Sequence, residues 1–404
     1  VKNGLPDRPS NTLYPSTRRS NLMIYMDYNG TTPLLDEVRA AMEPYWGPEF
    51  GNPSSGTSLG RRAREAVEGA REQVAALIGA LPAEIIFTSG GTESNNSVVF
   101  GLGEAFQGGG NHIVTTAVEH PSILEPCVEW LQRGGDVTFV QVDASGRVSP
   151  DTVLEAIRPD TFLVTVMHAN NETGTIMPLR EIGKACRERG VLFHTDAAQS
   201  LGKVPVDVDD LMVDLLTVAG HKLYAPKGIG ALYVRKGVQT PRYLFGAGQE
   251  QGRRAGTENV AYDVALGKAC TLAGRDLEYL GPRLKGLRDR LEAGLFERVP
   301  GFRVFGHPQY RLPNTLFGSF PGVSGSEVLS LAENLYASTG AACHSDQVKL
   351  SHVLAAMGVT PEAGKGAVRL TLGRRTTEED ADSAAETLAE AFRKAVDRRS
   401  AEDR

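Results

Sequence analysis

Cysteine is scarce in this chain: Cys127, Cys186, Cys270 and Cys343 are the only four in 404 residues. No two form a CxxC pair, which argues against a dense disulfide framework and against a zinc site with recognisable ligand spacing. That usage predicts a reduced, cytoplasmic setting. Long apolar runs are also missing; none approaches the about 20 residues that cross a bilayer, so no membrane partner is expected. An excess of positive charge is lacking too. Lys and Arg number 43 against 49 Asp and Glu, a net charge of −6, which argues against nucleic acid as the main partner. Repeats and low-complexity segments do not occur. What remains is ordinary for a globular protein, 41% hydrophobic and 23% charged, and long enough for a large domain plus a smaller one.

Residues 1–22, "VKNGLPDRPSNTLYPSTRRSNL", stand apart. They are rich in Pro, Ser, Asn and Arg and have no apolar periodicity, which predicts a flexible arm or an appended tail. A trimmed targeting segment is the other reading; its Arg and Ser content fits, its prolines less well.

From about residue 60 helix and strand patterns alternate. "GRRAREAVEGAREQVAALIGA" carries apolar residues at helical spacing. "EIIFTS", "HIVTTAV", "DVTFVQV", "TFLVTVMHA", "VLFHTD", "DLLTVAG" and "GALYVRK" read as strands with helices between many of them. The pattern predicts an α/β domain with a mainly parallel sheet over residues 37–275. A smaller α+β domain is expected from residues 276–404, joined by 23–36 from the N-terminal end.

Polar residues recur where these strands end: His120, Asn171, Asp196, and the pair His221-Lys222. In a parallel sheet the carboxyl ends share one rim, where ligands bind. Any one of them is open to a bland reading as a loop residue bonding locally. Lys222 lies between a strand and a Pro/Gly turn; it is either a surface lysine or an amine aimed into the cleft. In the cleft it can form a Schiff base with an aldehyde cofactor. Asp196 can then face a pyridine nitrogen, with Gln199 in reach of the same ring. "FTSGGTESNN" offers Gly91, Thr92 and a helix N-terminus to a phosphate, or is only a turn and cap. "GRRAGTEN" brings Arg253, Arg254 and Thr257 into a Gly-rich loop. Arg369, within a strand, suits a bidentate carboxylate or an exposed strand face.

Together "MDYNGTTPL", "FTSGGTESNN", "AVEHPSI", "HANNETGTI", "HTDAAQ", "GHKLYAPKGIGALY", "GRRAGTEN", "RLPNT" and "RLTLGRRTT" resemble the cysteine desulfurases of class V of the aminotransferases. The resemblance runs in order from about residue 24 to 395, with the nitrogenase-associated desulfurases most similar through the body. It implies a homodimeric pyridoxal 5'-phosphate enzyme of aminotransferase fold type I that converts L-cysteine to L-alanine. Sulfur would pass through a persulfide on Cys343 to an acceptor, for iron–sulfur clusters or other sulfur-containing products.

The same resemblance assigns roles. Lys222 would hold the cofactor covalently, His120 would stack on its ring and move protons, and Asp196 would pair with the pyridine nitrogen. Gln199 and Asn171 would contact the phenolic oxygen and the substrate region. Gly91, Thr92 and His221 would hold the phosphate, with Thr257 supplied by a second subunit. Arg369 would bind the substrate carboxylate. Cys343 would be the nucleophile on a loop that the small residues Gly340, Ala341 and Ala342 allow to move. Cys127, Cys186 and Cys270 lie in helical patterns and read as buried packing residues.

Three departures from the family pattern matter. Ala219 stands where many desulfurases have Ser, removing one hydroxyl from the phosphate site. The loop "STGAACHSDQ" differs from the usual Ser-Gly-Ser-Ala-Cys-Thr-Ser, and its "AACHSD" is similar to selenocysteine lyases. Pro121 after His120 favours the desulfurases, because animal selenocysteine lyases carry Asp there. The chain also stops soon after its last helix, without the longer tail by which some desulfurases engage a scaffold. Selenocysteine lyase is therefore the alternative activity, and a catalytically weak sulfur-relay partner the alternative of another class.

Overall fold

The computed structural model describes residues 23–105, 110–339, 341–344 and 347–402. The arm at 1–22 and the loop residues Gly340, Ser345 and Asp346 lie outside the described residues. The chain opens with β1 (Ile24–Tyr25), α1 (Asp36–Met42) and α2 (Ser58–Ile78). A strand-rich run follows: β2 (Ile85–Thr88), α3 (Gly91–Ala105), β3 (His112–Thr116), α4 (Pro121–Gln132) and β4 (Asp136–Val140). It continues as α5 (Pro150–Ala156), β5 (Thr161–Thr165), α6 (Leu179–Arg189), β6 (Leu192–Asp196), β7 (Leu215–Ala219) and β8 (Gly230–Val234).

Local chemistry explains the elements. In α2, Ala63, Val67, Ala70, Val74 and Ile78 recur every three or four residues and are all buried. Thr57 caps its start by accepting from the Gly60 N–H at 3.1 Å. Gly79, at φ 71°, ends it in the left-handed conformation that favours glycine.

The seven strands form one sheet in the order β2-β8-β7-β6-β5-β3-β4. Only β8 is antiparallel to its neighbours, so the other six run the same way. β2, β5, β7 and β8 are buried along their whole length, as befits a sheet covered on both faces. The parallel run puts the ends of β2, β3, β5, β6 and β7 on a single rim.

α7 (Val260–Arg298) then runs for 39 residues, about 58 Å at helical rise. Its first half packs Ala265, Leu266, Ala269 and Leu272 into the core of the large sheet. Its second half packs Leu280, Leu284, Leu287 and Leu291 into a separate core. The boundary expected at 275/276 thus falls inside one continuous helix.

The second core underlies an antiparallel sheet of four strands: β9 (Arg303–Phe305), β10 (Thr315–Ser319), β12 (Ser338–Thr339) and β15 (Ala367–Thr371). The elements between and after these strands are α8 (Gly325–Leu331), β11 (Leu335–Tyr336), α9 (His352–Ala356), α10 (Pro361–Lys365) and α11 (Glu378–Glu402). β1 pairs in parallel with β11, which ties the N-terminal segment to this unit. β13 (Ala341–His344) and β14 (Gln347–Leu350) form a separate hairpin with Cys343 opposite Val348. No described helix is long and apolar enough to cross a membrane.

Candidate active site

Lys222 sits at the end of β7 in a short 3₁₀ turn, Gly220–Lys222. Its Nζ donates to the backbone oxygens of Asn29, at 2.5 Å, and Gly30, at 2.6 Å. The loop after β1 is thereby clamped over the turn. Thr32 reinforces the clamp: its Oγ1 donates to the His221 oxygen at 2.8 Å and accepts from the Tyr224 N–H. Burial and the nearby charge of Arg369 bring the Lys222 pKa down to about 8, against the opposing pull of Asp27 and Asp196. A lysine so shifted is deprotonated far more readily than a surface one, as nucleophilic amine chemistry requires.

Asp196 ends β6 and is buried. Its Oδ2 accepts from Asn95 Nδ2 at 2.8 Å and its Oδ1 from the Ala198 N–H at 2.9 Å. Asn95, on α3, also donates to Ser122 Oγ at 2.8 Å. Ser122 in turn meets His120 Nδ1 through its hydroxyl at 2.8 Å and its N–H at 3.1 Å. Nδ1 therefore accepts, and the neutral ring carries its proton on Nε2. Sequence reading did not single out Asn95, although it lies within "FTSGGTESNN"; it joins Asp196 to His120.

The helix α3 starts at Gly91 next to β7, where a Cβ on Gly91 would lie 3.4 Å from the Ala219 side chain. Thr92 follows in the first turn, so the free amide donors of that turn face a rim where cations gather. His221 is held down to about 4 by burial and by Lys222, Lys227 and His120. Amide donors at a helix start, beside a lysine whose charge bears on His221, suit an anion such as a phosphate. Ala219 is buried and supplies no hydroxyl, as its sequence position implies.

Arg369, in β15, donates from Nη2 to Asp27 Oδ1 at 2.8 Å and from Nη1 to the Asn171 backbone oxygen at 3.1 Å. Its Nε is buried and has no partner among the described residues. Asn171 takes part through its backbone, also accepting from Asn29 Nδ2 at 3.2 Å. Gln199 is buried, donating to the Asn29 backbone oxygen at 3.0 Å and accepting from Lys203 Nζ at 2.9 Å. Asp27, Asn29 and Lys203 were not singled out from sequence. The first two lie in "MDYNGTTPL", but nothing local to that stretch shows that it folds onto residues 142 to 342 positions away.

Thr257 does not join the group: it is exposed in the loop before α7. The hairpin carrying Cys343 has both feet at the site. Ser338, before it, pairs with Arg369 across β12 and β15. His352, after it, donates from Nε2 to the Glu119 oxygen at 2.8 Å, beside His120. The other cysteines, Cys127, Cys186 and Cys270, are buried, and burial pushes each thiol up to about 12, which makes them poor nucleophiles.

Known proteins are similar to this chain over most of its length. Cysteine desulfurase IscS of Methanosarcina thermophila is 46% identical over 377 residues, 93% of each chain. Cysteine desulfurase IscS of Dictyoglomus turgidum is 46% identical over 359 residues, covering 88% of this chain and 91% of its own. A solved NifS-like protein superposes with TM-score 0.87 at 35% identity, over 92% of this chain and all of that one. SspA in complex with cysteine gives 0.75 at 36% identity, over 86% and 98%. The family model for aminotransferase class-V proteins matches residues 24–383, and it is to the class-V aminotransferases that this chain belongs.

Proposed function

We propose that the chain is a pyridoxal 5'-phosphate-dependent cysteine desulfurase. The observation that carries this reading is the pairing of Lys222, with its pKa at about 8, and Arg369, whose buried Nε has no partner among the described residues. An amine and a guanidinium close enough for one to shift the other suit an amino-acid substrate: the guanidinium takes the carboxylate, and the amine works at the α-carbon. The relatives named cysteine desulfurase and the neighbour holding cysteine support the same substrate.

The residues present fit the cofactor. Lys222 would hold it covalently, Asp196 would face its pyridine nitrogen, and Gln199 its phenolic oxygen. The first turn of α3 at Gly91 and Thr92, with His221, would hold its phosphate. Bound there, it supplies an electron-withdrawing ring that stabilises negative charge at the substrate α-carbon. The chain's own groups do the rest. Asn95 keeps Asp196 oriented, and Ser122 keeps the His120 proton on Nε2, poised for transfer at the rim. Arg369 and Asn171 orient the amino acid.

Cys343 completes the reaction. Its thiolate forms an S–S bond to the substrate sulfur as the carbon–sulfur bond breaks. The bonding pair stays with the carbon skeleton, which takes up a proton and leaves as alanine. The persulfide then passes its outer sulfur to an acceptor thiol, the supply needed for iron–sulfur clusters. Pairing with a second copy is part of the proposal: Phe245, 82% exposed, and its neighbours Tyr243 and Leu244 offer an apolar surface ahead of the Thr257 loop. The "AACHSD" run favours selenocysteine as the second reading. Turnover of L-cysteine and L-selenocysteine, with alanine measured for both, tests the choice. Ample alanine from cysteine is expected; alanine from selenocysteine alone would establish the second reading.

A further inference from the structure

A second lysine is buried beside Lys222. Lys203 is 9% exposed and forms no ion pair with a carboxylate among the described residues. Its Nζ instead meets two amide oxygens, Oε1 of Gln199 at 2.9 Å and Oδ1 of Asn29 at 3.1 Å. The charges that bear on it, Lys222 and Arg369, are both positive, and with burial they hold its pKa well below the lysine range. Both of its acceptors are carboxamide oxygens, so each amide turns its C=O toward the amine.

The consequence falls on those two side-chain amides. A carboxamide can exchange its oxygen and nitrogen by a half-turn about its last bond. With Oε1 of Gln199 facing Lys203, its NH₂ must face the other way, where it donates to the Asn29 backbone oxygen at 3.0 Å. That oxygen also receives Lys222. In Asn29, Oδ1 accepts from Lys203 and from Asn314 Nδ2, leaving Nδ2 to donate to Thr315 Oγ1 and to the Asn171 oxygen. Lys203 and Lys222 also line one small cavity with Tyr28 and Tyr224.

We propose that Lys203 is a positioning residue that locks the amide of Gln199, so that the Gln199 NH₂ is presented to the Lys222 site. The proposal rests on the reading of that site as the place of pyridoxal phosphate. It acts through Gln199 and touches no substrate itself.

A double-mutant cycle on cofactor binding tests it. Cofactor-free parent chain, Lys203→Met, Gln199→Ala and the double variant are titrated with pyridoxal phosphate and followed by absorbance. Each single variant is expected to bind about tenfold more weakly, in line with one lost hydrogen bond to a strongly polar group. The double variant should bind no more weakly than Gln199→Ala alone, because the lysine acts only through that amide. Lys203→Gln, which keeps two donors, should stay within about threefold of the parent. Circular dichroism checks folding, and Lys203→Ala replaces the Met variant in the cycle should the latter not fold. Losses that multiply in the double variant, or a Lys203→Met that binds like the parent, would overturn the positioning role. A parent chain that takes up no pyridoxal phosphate would overturn the cofactor reading and this inference with it.

Discussion

Arg369 donates to Asp27 at 2.8 Å while its Nε stays buried and, among the described residues, unpartnered. Two of the three guanidinium nitrogens are thus anchored, Nη2 on Asp27 and Nη1 on the Asn171 backbone oxygen, and a substrate carboxylate bound here would share the fork with them. Arg369→Lys keeps the charge but loses the planar fork. It is expected to raise KM for the amino acid about 10- to 100-fold, the scale of one or two charge-assisted hydrogen bonds. Steady-state kinetics check this; an unchanged KM would place the carboxylate elsewhere.

Gly30 holds that anchor in place. A Cβ there would lie 2.4 Å from Asp27 Oδ2 and 2.8 Å from its Cγ. Gly30→Ala should therefore push Asp27 off Arg369 and weaken amino-acid binding about as much as Asp27→Ala does. Binding of the amino acid to the two variants, followed by absorbance of the cofactor-loaded chain, compares them. A Gly30→Ala chain that binds like the parent would show the loop yielding instead.

Lys222 gives a pH signature. With its pKa at about 8 rather than the ordinary 10.5, uptake of pyridoxal phosphate by the cofactor-free chain should accelerate through pH 8 and level off above it. Arg369 lowers this pKa and Asp27 raises it. Arg369→Met should accordingly move the midpoint up, and Asp27→Asn should move it down.

Glu119 gives a stability signature of the other kind. It is fully buried; Oε1 accepts from Thr116 and the Met167 N–H, and Oε2 has no partner among the described residues. Burial pushes its pKa from the ordinary 4.5 up to about 8. Between those values the folded chain holds a proton that the unfolded chain releases. The stability tied to Glu119 is therefore full below pH 4.5 and is lost as pH rises through 8. Glu119→Gln, which keeps an acceptor for both donors, should flatten that part of the Tm-against-pH curve in calorimetry.

All seven strands of the large sheet were legible as apolar, β-branched runs; in all but the half-buried edge strand β4, burial on both faces leaves little room for polar residues. Their order was not. β8 follows β7 in sequence and turns back to lie between β7 and β2, a placement set by packing and not by any residue in "GALYVRK". The rim residues Lys222, Asp196 and His120 could be read because each follows such a run. Asp27, Asn29 and Lys203 could not, because their partners come from the far end of the chain or from buried amides. The continuity of α7 was hidden too: its two halves serve different cores, so composition changes where the helix does not.

The most direct test of the desulfurase reading follows sulfur and carbon together. With the cofactor-loaded chain, L-cysteine and no acceptor, alanine and protein-bound persulfide should form in equal amounts, up to one persulfide per chain and located on Cys343. Cys343→Ser should still bind cysteine but form no persulfide. Persulfide formed undiminished by Cys343→Ser, or cysteine consumed without alanine, would contradict the account.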